Sequence, residues 1–88
     1  MIRIERPVRA DIEKMGIFDW PVWSKDISEF PWVYDMEEVC YILEGRAEII
    51  SDDGEEAVIT SGDLVTFPCG MKCRWKITSP IRKHYDFR

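Results

Sequence analysis

Eighty-eight residues carrying a net charge of −5 make one small domain and leave no room for a second. The acidic balance argues against a duplex-DNA binder, whose affinity rests on cationic contacts to phosphate. No apolar run approaches the roughly 20 residues that cross a bilayer, and no leader-type stretch follows Met1, so neither nucleic acid nor membrane is an expected partner.

A chain of this size buries only roughly 60% of the surface exposed by its unfolded form. Four Trp, four Phe and three Tyr, within a composition that is 45% hydrophobic, supply bulky side chains for a compact core. A second copy would add burial, so a homodimer is expected. Cys40, Cys69 and Cys73 cannot all pair within one chain, which points to free thiols and a reducing cytoplasm.

In chain order, Ile2 and Ile4 alternate with Arg3 and Glu5 as a short strand that Pro7 ends. Residues 7–15 set Val8, Ile12 and Met15 among charges, the pattern of a two-turn helix stopped by Gly16. A strand is expected from Trp23 to Phe30, with Pro31 interrupting it at an edge or a bend. From Glu38 to Leu43 both faces are apolar apart from Glu38: Val39, Tyr41 and Leu43 on one, Cys40 and Ile42 on the other. Both must therefore be covered, by a second sheet, the N-terminal segment or a second subunit.

Gly45 suggests a turn into a strand over 46–51, and Asp52-Asp53-Gly54 is a hairpin signal followed by a return strand over 55–60. After Ser61-Gly62-Asp63 comes a strand from Leu64 to Phe67, stopped by Pro68. Met71, Cys73, Trp75 and Ile77 then alternate cleanly with Lys72, Arg74, Lys76 and Thr78. Pro80 punctuates, and Ile81 to Phe87 forms the last strand. Many short strands with frequent turns indicate an all-β sandwich or barrel with one short N-terminal helix. Lys72, Arg74, Lys76, Arg82, Lys83 and Arg88 crowd the C-terminal end against the single acid Asp86, and are expected to pair with acidic strands.

Two stretches carry a resemblance. Glu38, six residues and Gly45 form the first; Gly62, five residues and Pro68-Cys69-Gly70 form the second. In register across one hairpin, they resemble the two motifs of the cupin superfamily, over about 32–45 and 62–75. Glu-x-Cys-Tyr-Ile-Leu-Glu-Gly and the ending from Pro80 to Tyr85 resemble the small single-domain cupins grouped with the ureidoglycine aminohydrolase cupin domain. The resemblance implies a cupin-type β-barrel, the double-stranded β-helix or jelly roll, with a pocket inside. It also implies metal-binding histidines where this chain has Trp32, Tyr34 and Cys73, so only Glu38 remains of the usual ligand set. An indole offers no lone pair to a metal.

The candidate pocket is then Trp32, Tyr34, Glu38, Cys40, Cys73 and Trp75. Glu38 reads as a general base or ligand acceptor, or as a carboxylate held by a neighbouring cation or backbone group. Cys73 reads as a pocket-wall thiol, or as a nucleophile if His84, the only histidine, lies beside it. Glu38, Cys40, Cys73 and Tyr34 together could form an altered site for a divalent metal such as zinc. Trp20 and Trp23 are expected in the core or at an interface. The leading expectation is a small-molecule-binding cupin with a non-standard pocket, holding either no metal or a divalent ion such as zinc. The alternatives are a metal-dependent hydrolase or isomerase using Glu38 and Cys73, and an interaction module using the basic C-terminal surface.

Overall fold

Two long strands organise the molecule in a computed structural model that describes residues 1–88. In chain order the elements are β1 (Arg3–Glu5), α1 (Arg9–Lys14), a 3-10 turn (Ile17–Asp19), β2 (Val22–Lys25), β3 (Ser28–Val33), β4 (Glu38–Ser51), β5 (Glu56–Thr60), β6 (Leu64–Phe67) and β7 (Lys72–Phe87). β4 and β7 run antiparallel, from Glu38 opposite Phe87 to Ser51 opposite Cys73. Each serves both sides of a barrel. β4 pairs with β6 through its first half and with β5 through its second. β7 pairs with β3 over Lys72–Ile77 and with β2 over Ile81–His84. All pairings are antiparallel, as a cupin-type barrel requires.

The continuity of β4 corrects the expected turn at Gly45. Its φ of +95° and the register shifts between Ile42 and Ala47 mark a bulge, where the strand bends between the two halves of the barrel. Pro80 does not interrupt β7 either, because it sits against that bulge, where the ladder is already irregular. The strand expected over 23–30 is two strands. Asp26 breaks it, with its carboxylate accepting from the Ile27 amide and its carbonyl from the Ser28 hydroxyl. Pro31 lies inside β3, opposite Arg74; β3 pairs on one side only, so the missing N–H removes no ladder bond.

Inside the barrel, Ile42, Ala47, Ile49, Ile59, Val65, Phe67, Trp75 and Ile77 form the core. The outer face of β4 is covered by the N-terminal segment: Ile12 and Ile17 pack on Val39 and Leu64, with Trp20 and Tyr41 at the margin. That answers which of three covers hides this part of the doubly apolar strand. Of the six cations at the basic end, Arg74, Arg82 and Lys83 pair with Glu29, Glu44 and Glu38 of other strands, and Arg88 pairs with its near neighbour Asp86.

Candidate functional site

A cavity of about 120 Å³ opens between β2, β3, β4 and β7. Its wall begins with period-2 geometry: Phe30, Trp32 and Tyr34 are two residues apart, so they turn to one side as β3 runs on. Trp75 of β7 completes the wall, and Trp23 of β2 closes its side. The rings lock one another. Phe30 stacks on Trp75 at 6.1 Å and 13° between planes, and Tyr34 stacks on Phe67 at 4.8 Å. Trp23 meets Trp75 edge-on at 6.0 Å. Trp32 and Phe87, each more than two-fifths exposed, stand at the rim.

The floor is an ion pair. Lys83 Nζ donates to Glu38 Oε2 at 2.8 Å, and both side chains are nearly fully buried. Lys83 reaches it because Ile81, Lys83, Tyr85 and Phe87 share a parity on β7 that points inward. Its ammonium also lies 4.9 Å from the Trp23 ring and 4.7 Å from the Trp75 ring, so two π faces supply part of the solvation it has lost. Tyr34 is close to the same carboxylate. Burial first, and then the Glu38 charge, push its hydroxyl far above the usual phenol range, so it stays a proton donor.

Of the residues named from sequence, Trp32, Tyr34, Glu38 and Trp75 line this cavity. Cys40 and Cys73 do not: both point inward but belong to the packed core behind it. The suggested metal set of Glu38, Cys40, Cys73 and Tyr34 also fails to converge, since nowhere do three carboxylate, thiol or imidazole groups gather as ligands. Glu38 is already committed to an ammonium, whose charge would repel a dication at the same oxygens. The residues present do not fit the metal of the wider superfamily.

The Cys73–His84 pair is likewise corrected, because His84 has the opposite parity to Lys83. Its Nδ1 contacts the Trp20 carbonyl oxygen at 2.8 Å, and Phe18 meets its ring edge-on. It faces the N-terminal cover, away from the cavity. Sequence reading missed Lys83, Phe30, Tyr85 and Phe87 as lining residues and assigned Trp23 elsewhere. The parity of Lys83 with Ile81, Tyr85 and Phe87 was the available signal.

Both buried thiols are poor nucleophiles. Burial pushes Cys40 up to about 12, with Lys83 opposing and Glu38 adding. Cys73 is pushed up to about 11 by burial, then by Asp52 and Glu38, against the pull of the Trp75 indole N–H and Lys83. That N–H is also the one enclosed side-chain polar atom without a hydrogen-bond partner.

An alkaline limit to stability follows. Unfolding returns the thiols to about 8.5, so above that pH the unfolded chain sheds protons that the folded chain keeps. Stability is full below about pH 8.5 and falls toward pH 11, with Tyr34 adding its share above about pH 10. Thermal midpoints across that range check this, and Cys73→Ala flattens the fall. A midpoint constant to pH 11 would show that the thiols ionise as readily folded as unfolded.

The family model of the EutQ-like cupin domain matches residues 12–85. A DUF861 family protein from Thermotoga maritima is 48% identical, with a TM-score of 0.98 and all of both chains covered. The EutQ protein of Clostridium difficile is 26% identical, with a TM-score of 0.68 over 75% of this chain and 52% of that one. A DUF861 family protein from Pseudomonas syringae is also 26% identical, with a TM-score of 0.68 over 76% of this chain and 29% of that one. Among curated proteins none matches.

Proposed function

The chain belongs to the EutQ-like cupin family, and from that premise we propose that it is a small-molecule-binding cupin whose pocket works without a metal ion. One observation carries this reading: the carboxylate left from the superfamily's ligand set is neutralised by Lys83 at the floor of an aromatic cavity. Concave, mostly apolar pockets with a few convergent polar groups are the usual form of a ligand site. The size is telling as well. An engineered cavity of roughly 150 Å³ holds benzene, so about 120 Å³ with an open rim suits a molecule of one small ring.

An enzyme built on Glu38 and Cys73 finds no support here. Cys73 lies outside the cavity, and its thiol is held protonated at neutral pH. Sugars, small acids and ureide-like nitrogen compounds are the first probes, the last because of the resemblance to the ureidoglycine aminohydrolase cupin group.

The test is intrinsic fluorescence, since Trp23, Trp32 and Trp75 all border the cavity. A ligand from this panel should change the emission saturably. Trp32→Ala should weaken that binding at least tenfold, the equivalent of about 1.4 kcal/mol. Its thermal midpoint should move by only a few degrees, because Trp32 is a rim residue. If Trp32→Ala leaves the affinity unchanged, the ligand sits elsewhere and this reading fails.

A further inference from the structure

The floor of the cavity restricts what can bind there, granted that the cavity is a ligand site. Lys83 carries three N–H donors, and one of them is used by Glu38. The ionised Glu38 offers about four acceptor positions, and Lys83 takes one. Both side chains are more than nine-tenths buried, and both border the cavity. Further donors and acceptors therefore remain on two groups already joined at 2.8 Å, beneath aromatic walls.

We propose that the pocket selects a small, flat, uncharged molecule presenting one acceptor beside one donor, as a primary carboxamide or a ring lactam does. The carbonyl oxygen would accept from Lys83, and the adjacent N–H would donate to Glu38. Each charge of the pair is already cancelled by the other. A carboxylate ligand would gain Lys83 but bring its own charge against Glu38, and an ammonium ligand would gain Glu38 but meet Lys83. Either ion also loses its water to an apolar site, a loss that only full pairing offsets. The uncharged amide meets both partners and leaves the pair intact. Its plane lies against the rings that form the wall.

Benzamide, benzoate and benzylammonium share one ring and differ in the group offered to the floor. Titrated into the wild-type protein and followed by tryptophan fluorescence and calorimetry, benzamide should bind at least tenfold more tightly than either ion. In the double variant Glu38→Leu/Lys83→Met the advantage should shrink to about threefold or less, since the floor no longer offers either partner. If that variant does not fold, the wild-type ranking alone decides. Benzoate or benzylammonium equal to or tighter than benzamide would overturn the selectivity while leaving the cavity a binding site. No binding by any of the three would overturn it too, and the wider panel with Trp32→Ala then judges the cavity separately.

Discussion

Gly45→Ala should lower the thermal midpoint by well over 12 °C, or prevent folding altogether. Two separate penalties meet at this residue. Its φ of +95° lies where an L side chain is strained, at about 1–3 kcal/mol. The added methyl would also lie 2.1 Å from the Pro80 carbonyl oxygen and 2.8 Å from that of Ser79. Both are backbone atoms of β7, so no rotamer change relieves the clash, and the paired strands must move apart at the bend of the barrel. With about 1 kcal/mol shifting the midpoint of a domain this size by 4–8 °C, 3 kcal/mol is a minimum. Gly54→Ala separates the two penalties. Its φ is +92°, yet nothing lies within 4 Å of where the added methyl would sit, so only the strain remains. Differential scanning calorimetry of both variants checks this; equal losses would show that the approach of Pro80 does not matter.

Lys83→Met should destabilise the protein by about 3–5 kcal/mol, the usual consequence of stripping one partner from a buried pair. Glu38 would be left charged, enclosed and facing Tyr34, with no cation to compensate it. Glu38→Leu/Lys83→Met should recover most of the loss, because an apolar pair of similar volume replaces a buried ion pair with little penalty. Urea denaturation of the wild type, both single variants and the double variant closes the cycle. A double variant as unstable as the sum of the singles would show that the two groups act independently.

Much of the barrel was legible because the first half of β7 alternates so regularly: Cys73, Trp75 and Ile77 face inward as their spacing demands. Two of the three motif glycines also have physical reasons. Gly45 permits the close approach of β7, and Gly70, at φ +86°, lets its amide donate to the Tyr34 carbonyl and tie that ring's strand end in place. What sequence reading got wrong were interruptions. Gly45 and Pro80 look like separate breaks in two strands, yet they face each other and form one bulge. At the site, a lysine between Arg82 and His84 reads as one more cation of the basic end, to be paired with some acidic strand. Its neighbours two residues away, Ile81 and Tyr85, show that it faces inward. Which carboxylate it meets depends on the register of β4 against β7, and local pattern does not carry that information.

The first quantity to measure is the metal content of protein purified without an affinity tag or chelator. If Lys83 neutralises Glu38 in place of a metal, elemental analysis should find transition metal far below one ion per chain, with Zn²⁺ added in excess failing to raise the thermal midpoint. About one bound ion per chain, lost on Glu38→Gln, would contradict it and return the pocket to metal chemistry.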